Sequence, residues 1–223
     1  VGDTEDVPRL RAALASEDAA LRRAAVEAIG ALGGEPAVEA VSFVLADEST
    51  EVQAAAARAL GRLRAPGAID ALLATLLAAE PLVQAAAAKA LGEVGDARAI
   101  DPLRNLCRSA GGVAALAALE ALRKLGDNGI GEVLVEALGH SDPEVVKQAL
   151  LSIHDLRDRR GAARIAVCLE HPAWDVRRLA AHLLAEIGDR VAIGALEARL
   201  ARETDELVRE AIAAAYAALH GAR

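Results

Sequence analysis

Ala87-Ala88-Lys89-Ala90-Leu91-Gly92 is the stretch that decides the fold, because its pattern returns every 31 residues along the chain. The closing glycine recurs at Gly30 and Gly61, each time behind an Ala-Ile or Ala-Leu pair. The opening alanine recurs at every step, as Ala25, Ala56, Ala87, Ala118, Ala149, Ala180 and Ala211. A fixed period of this length is typical of a repeat array, so the function must be sought in what the repeats display.

The period divides most of the chain into units that are long enough for two short helices each. The predicted units are residues 4–34, 35–65, 66–96, 97–127, 128–158, 159–189 and 190–220. In each first helix, apolar residues four positions apart form a stripe, as Leu72 and Leu76 do. The second helices carry another stripe, which begins at Leu21 in the first unit and at Leu207 in the last. Because no segment alternates like a strand, we predict an all-α fold, a right-handed α-solenoid of seven 31-residue helical hairpins in a single array over residues 1–223.

Composition limits both the core and the partners. Hydrophobic residues make up 54% of the chain but aromatic residues only 1%, so alanine and the aliphatic residues must form the core. A net charge of −8 disfavours nucleic acid as a partner, because nucleic-acid-binding proteins neutralise phosphates with Lys and Arg. No apolar stretch reaches the ~18 residues that a membrane span needs. Cys107 and Cys168 fall at apolar positions, which predicts buried free thiols and a cytoplasmic location.

Polar residues mark the predicted helix starts, and the last helix has an unusual apolar face. The residues expected to cap second helices are Asp18, Ser49, Asp142 and Thr204. The apolar face of the last helix consists of Ile212, Ala215, Tyr216 and Leu219. Since no further repeat follows to cover this face, we expect self-association or a docked domain at the C-terminal end.

Three stretches carry the likeness to a known family. They are Leu21-Arg22 with Ala25-Val26 and Ala28-Ile29-Gly30, Ala87-Ala88 with Ala90-Leu91-Gly92 and Gly95-Asp96, and Asp175-Val176-Arg177 with Ala180-Ala181. The pattern resembles the short HEAT-like repeats of the phycobilisome-lyase type. The resemblance implies that first helices form a convex layer and second helices line a concave face. It also implies an Arg/Asp ladder between repeats, which should be broken where Gln53, Gln84, Ala115 and Val146 replace the arginine.

The resemblance implies a protein-interaction scaffold or adaptor, with a bilin lyase-like subunit or accessory factor as the alternative. The histidines are His140, His154, His171, His182 and His220. None of them belongs to a His-Glu pair, which the di-iron hydroxylase built on similar repeats requires. His140 and His171 share one turn position in adjacent repeats, which is more typical of surface residues than of a metal pair. We therefore predict neither catalytic residues nor a metal or cofactor.

The inward positions of the second helices supply the candidate binding residues. In the second to fourth repeats they are Arg58, Arg62, Lys89, Glu120 and Lys124. In the fifth and sixth repeats they are Lys147, Leu151, Asp155, Arg178, Leu179 and His182, and the only tryptophan, Trp174, lies beside them. Trp and Arg are enriched among interface hot spots, so Trp174 is the predicted anchor for a protein partner. The alternative interpretation is that Trp174 packs over the turn between repeats and that the face is a solvated surface with weak ion pairs.

Overall fold

The computed structural model describes residues 7–78, 80–126, 129–156 and 161–221. Over these residues the chain forms fourteen α-helices, joined by turns and short 3-10 segments, and contains no β-strand. The predicted all-α fold is therefore confirmed. None of the helices in these ranges is both long and apolar enough to cross a bilayer.

The helices pack into two compact units, Val1–Ile130 and Gly131–Arg223. The first unit contains α1 (Val7–Ala13), α2 (Ala19–Leu32), α3 (Glu35–Phe43), α4 (Thr50–Arg62), α5 (Ile69–Ala78), α6 (Pro81–Val94), α7 (Ile100–Ser109) and α8 (Gly112–Leu125). At the boundary α9 (Ile130–Ala137) begins, and α10 (Pro143–Asp155), α11 (Gly161–Ala166), α12 (Trp174–Ile187), α13 (Ile193–Leu200) and α14 (Glu206–Gly221) follow. Shorter and longer helices alternate, as helical hairpins require. That seven such hairpins form one array stays a prediction.

Within each unit, every longer helix packs against the next longer helix. In the first unit these pairs are α2 with α4, α4 with α6, and α6 with α8; in the second unit they are α10 with α12, and α12 with α14. All seven recurring alanines are buried at these contacts. The glycines of the repeat allow a closer approach still. A Cβ atom on Gly30 would lie 2.9 Å from Ala59 Cβ, and one on Gly61 would lie 2.8 Å from Ala90 Cα. These glycines lie within α2 and α4 and therefore serve helix packing.

Three of the four predicted helix caps occupy the expected position. Asp18 accepts the backbone N–H of Ala20 at 2.8 Å, and Asp142 accepts that of Glu144 at 2.9 Å. Ser49 precedes α4, although its side chain makes no hydrogen bond to the backbone of that helix. The acidic residues thus satisfy amide groups that the first helical turn leaves without an intrahelical partner.

The start of the last helix corrects the predicted register. Thr204 is not the cap, because the Asp205 Oδ1 atom accepts the N–H of Val208 at 3.1 Å and α14 begins one residue later than expected. Val208 is fully buried, as its repeat equivalents Ala115 and Val146 are, whereas Leu207 is 52% exposed. Leu21 is likewise 49% exposed, because none of the described longer helices precedes α2 to cover it. The apolar stripe of the second helices is therefore wrong at both of these positions.

The expected apolar face at the C-terminal end is also largely absent. Ile212, Ala215 and Leu219 are buried against the rest of the second unit. Tyr216 is half-buried, and its ring centroid lies 4.5 Å from that of His220. These side chains complete the core, so they lend no support to self-association through this end.

An interrupted ladder of arginine and acidic residues connects successive repeats, as the resemblance implied. Arg22 donates from Nε and Nη2 to both carboxylate oxygens of Asp47, at 2.8 and 2.9 Å. Gln53 donates instead to the backbone carbonyl of Asp47 at 2.6 Å, and Gln84 to that of Leu76 at 2.9 Å. In the second and third repeats, a neutral glutamine therefore occupies the position that Arg22 has in the first repeat, and it donates to a backbone carbonyl in place of a carboxylate.

The second unit contains the most buried ion pair of the described residues. Arg177 Nε donates to Glu203 Oε2 at 2.8 Å, and Arg177 Nη2 donates to Oε1 at 3.1 Å. The remaining Arg177 nitrogen, Nη1, donates to the carbonyl oxygens of His171 and Pro172 at 2.9 and 2.8 Å. Arg199 approaches the same carboxylate from α13 at 2.8 Å, and the Glu203 side chain is fully buried. Such a pair is stable only because every charged atom has partners.

These contacts determine how stability depends on pH. Burial by itself would raise the pKa of Glu203, but hydrogen bonds from Arg177, from the N–H of Asp205 and from Arg199 lower it to about 2, against a usual value of 4.5. The unfolded chain therefore binds a proton at a higher pH than the folded chain does. The stabilisation is complete above about pH 4.5 and is lost as the pH falls towards about 2.

We expect the stability advantage of the wild type over Glu203→Gln to shrink across this acid range. Urea midpoints of both proteins, measured from neutral pH down to about pH 3, test this expectation. The amide cannot titrate, so the difference between the two proteins isolates the contribution of this one carboxylate. A difference that stays constant below pH 4.5 would contradict it.

Candidate functional site

Helices α10 and α12 of the second unit pack against each other and are joined by side-chain contacts at two levels. Near the start of both helices, Lys147 Nζ lies 2.7 Å from Asp175 Oδ2. Two turns later along α10, His154 Nε2 lies 3.2 Å from Glu186 Oε2. These two contacts fix the relative position of the helices along the surface between them.

The surface between these two side-chain contacts carries several of the predicted binding residues. Leu151 lies one turn after Lys147 on α10 and is 40% exposed. On α12, Arg178 and His182 are exposed and Leu179 is half-buried. Leu151 on α10 and Arg178 and His182 on α12 are thus exposed side chains on two helices that pack against each other. We call this strip, with Trp174 at its edge, the α10–α12 surface.

Trp174 is the first residue of α12. Its side chain is partly packed, as in the interpretation that it covers a turn, and partly exposed, as an anchor for a partner would be. The residue is 45% exposed, so one part of it packs against the unit and the other part faces solvent. A partly packed indole has little freedom left to lose and still offers apolar area to a partner.

Lys147 and Asp155, two of the predicted binding residues, differ in whether their charge is bound within the unit. Lys147 binds Asp175 and also Glu144, at 2.6 Å, and the hydrogen bonds that it donates to these two carboxylates raise the pKa of Lys147. Its charge is therefore used within the unit, where it positions α12. Asp155 is exposed at the end of α10, with Oδ1 3.5 Å from His154 Nδ1. Its carboxylate remains accessible to solvent.

The other five candidate residues lie in the first unit. Arg58 and Arg62 are on α4, Lys89 is on α6, and Glu120 and Lys124 are on α8. Arg58, Arg62 and Lys89 are exposed. Lys124 Nζ lies 2.5 Å from Glu93 and 3.5 Å from Glu120, and these contacts raise the pKa of the lysine. Internal ion pairs thus neutralise part of this set, which belongs to a different unit from Trp174.

Phe43 and the groove beside it are an exposed feature of the first unit that was not predicted from the sequence. Phe43, the only phenylalanine, is 87% exposed beside a groove of about 660 Å³ between α1 and α3. Its position two residues after buried Val41 lies off the apolar stripe of the first helices, so periodicity does predict exposure. Nothing in the spacing of the residues predicts the groove.

Residues that could support catalysis or metal binding have structural roles. His140 Nδ1 accepts the N–H of Asp142 at 2.9 Å, and His171 Nδ1 accepts that of Ala173 at 3.1 Å. Each imidazole therefore stabilises its own turn. Among the described residues no group of three or more His, Cys, Asp or Glu side chains is arranged to hold a metal ion.

The two cysteines are free and buried, as the sequence predicted. Burial raises the pKa of Cys168 to about 11, so this thiol carries almost no thiolate at neutral pH. A reactive nucleophile needs the opposite shift. Cys168 is therefore a small apolar component of the core.

Comparison with known proteins gives a consistent result. A family model for HEAT repeats matches residues 38–123 and 131–217, and a model for the PBS lyase HEAT-like repeat matches residues 21–47. No curated protein sequence matches the chain. The Escherichia coli protein YibA is similar in structure, with a TM-score of 0.66, 20% identity, and coverage of 98% of this chain and 82% of that one.

Two further solved structures share the fold. The complex of CpcE and CpcF of phycocyanin lyase from Nostoc sp. PCC7120 has a TM-score of 0.58 and 23% identity, over 96% of this chain and 94% of that chain. A designed armadillo repeat protein in complex with the peptide (KR)4 has a TM-score of 0.50 and 21% identity, over 96% and 99% of the two chains. At these identities the likeness concerns the fold.

Proposed function

This chain belongs to the HEAT-repeat family, and on that premise we propose that it is a protein-interaction scaffold whose second helices present a binding face. The observation that carries the proposal is the α10–α12 surface, where Trp174 and Leu151 are partly exposed beside Arg178. Rigid aromatic and arginine side chains next to aliphatic ones are what protein interfaces select. The helices beneath are already fixed by side-chain contacts, so little ordering is needed on binding.

The remaining candidate residues have supporting roles in this proposal. Lys147 holds α10 against α12, Leu179 and His182 extend the proposed surface along α12, and Asp155 extends it at the far end of α10. The charged residues of the first unit would adjust the preference for a partner without supplying an apolar anchor. The free buried thiols agree with a reducing, cytoplasmic location, which we include in the proposal.

We expect the double variant Trp174→Ala/Arg178→Glu to lose a protein partner that the wild type captures from source-cell lysate. Both residues are on the surface, so helicity by circular dichroism should not change, and the apparent Kd of the captured complex should rise at least tenfold. Val191→Ala is the matched control, because Val191 is 61% exposed in the same unit and away from this surface.

An unchanged set of partners with the double variant would contradict the placement of the site. Loss of the same partners from Val191→Ala would show that the capture responds to any exposed apolar side chain of the unit. Either result would remove Trp174 from the proposal.

A subunit of a chromophore lyase is the second candidate function. The observation in its favour is the match of residues 21–47 to the PBS lyase HEAT-like repeat, together with the structural likeness to CpcE and CpcF. Such a protein should bind a linear tetrapyrrole and acquire visible absorbance, whereas a plain scaffold should remain colourless. Titration of the purified chain with a bilin, followed by gel filtration, separates the two functions.

A further inference from the structure

One stretch of the first unit is unusually acidic. Between Arg23 and Arg58 the chain contains no Lys, Arg or His. The same stretch contains six carboxylates, Glu27, Glu35, Glu39, Asp47, Glu48 and Glu51. It spans α3 and the turn that follows, which is also where Phe43 and the adjacent groove lie.

The groove between α1 and α3 has the size and the lining of a ligand-binding cleft. Its volume of about 660 Å³ falls within the range of ~300–1,000 Å³ that is usual for such clefts. Leu14 and Ala15 line it from the side of α1, and Ala40, Phe43 and Val44 from the side of α3. The lining is therefore mainly apolar, and its largest exposed member is the phenylalanine.

Phe43 is exposed to a degree that its own unit does not explain. At 87% exposure it makes few contacts with its neighbours, although a phenylalanine can stabilise a contact by burial of its ring. Val167 occupies the same repeat position in the second unit and is 68% exposed, but no basic-free acidic stretch surrounds it in the sequence. Phe43 thus differs from its repeat equivalent in both size and charge environment.

Glu39 and Asp47 line the groove and Glu48 follows in the sequence, and only part of the charge of these carboxylates is neutralised internally. Arg22 binds Asp47 through both carboxylate oxygens and reaches Glu48 at 3.1 Å. Arg11, in the groove wall, lies 2.9 Å from Glu39. Glu39 and Glu48 nevertheless remain 76% and 83% exposed, so both can accept a further cationic partner.

We propose that this groove, which we call the Phe43 groove, binds a basic segment of a partner protein that inserts an apolar side chain beside Phe43. The apolar lining would contact the inserted side chain, and Glu39 and Glu48 would attract the lysine or arginine residues that flank it. The proposal concerns the first unit only. It does not depend on the α10–α12 surface, and either surface can be lost without the other.

The chain offers a direct test, because Phe43 is its only phenylalanine and Trp174 its only tryptophan. Protein labelled with 4-fluorophenylalanine gives one ¹⁹F resonance, from the groove, while tryptophan fluorescence reports on the second unit. The probe is a short amphipathic peptide of leucine and lysine, and its counterpart with glutamate in place of lysine is the control. We expect the lysine peptide to shift the ¹⁹F resonance, with a Kd that rises with salt, and the glutamate peptide to leave it unchanged.

Variants locate the site by affinity, measured with a fluorescently labelled lysine peptide. Phe43→Ala should weaken binding at least tenfold and Glu39→Gln/Glu48→Gln at least threefold, while Val167→Ala, the matched control, should leave the Kd unchanged. Since all of these side chains are exposed, folding should not be affected. Equal binding of the two peptides, or an unchanged Kd in Phe43→Ala, would overturn the proposal. A ¹⁹F shift that depends on protein concentration alone would also overturn it, because a second copy would then occupy the groove.

Discussion

Replacement of Arg177 with alanine is expected to lower the free energy of unfolding by about 3–5 kcal/mol, which is the usual cost of removing one partner from a buried ion pair. Glu203 would remain fully buried in the core with two of its strongest hydrogen-bond donors removed. The carbonyl oxygens of His171 and Pro172 would lose the guanidinium as well. Urea unfolding followed by circular dichroism measures the change.

Arg178→Ala is the matched control for this experiment. Arg178 is the next residue on α12 and has the same side chain, but it is exposed, so its removal should change stability by less than about 0.5 kcal/mol. The comparison separates stability from recognition, because Arg178 belongs to the proposed binding surface and Arg177 does not. Losses of equal size in the two variants would show that the buried network does not hold the second unit together.

The repeat period contained most of the information about helix packing. The recurring alanines are all buried, and they lie on the longer helices that pack side by side. Sequence spacing identifies such positions well, since each repeat confirms the others. It says less about the packing role of Gly30 and Gly61, because only the structure shows atoms of the neighbouring helix 2.8–2.9 Å from the missing Cβ atoms.

The errors occurred where the local environment departs from the average repeat. Thr204 and Asp205 are both good N-cap residues, so composition alone cannot choose between them. In the structure Asp205 is the cap, so α14 begins one residue later than predicted. Leu21 matches the stripe perfectly but lacks a described neighbour on that side. Burial at such positions depends on tertiary contacts that a periodic pattern does not encode.

The candidate sites could be predicted only in part for a similar reason. Periodicity places Leu151 and Arg178 off the buried stripe of their helices, and both are exposed in the structure. The side-chain contacts that fix α10 against α12, such as Lys147 to Asp175, depend on the rotation of two helices about their axes. The groove beside Phe43 depends on the separation of α1 and α3. Neither quantity can be read from residue spacing.

The substitution Gly61→Leu should destabilise the first unit by about 3 kcal/mol, at the upper end of the usual cost of overpacking. Even its Cβ atom would lie 2.8 Å from the Cα and 3.0 Å from the Cβ of Ala90, so α4 and α6 would have to separate. Gly194→Leu is the matched control, since no atom lies within 4 Å of a Cβ built on this exposed helical glycine. That variant should stay within about 1 kcal/mol of the wild type, because leucine has the higher helix propensity. Urea midpoints of the two variants decide the matter, and similar midpoints would mean that the repeat glycines are not needed for close helix packing.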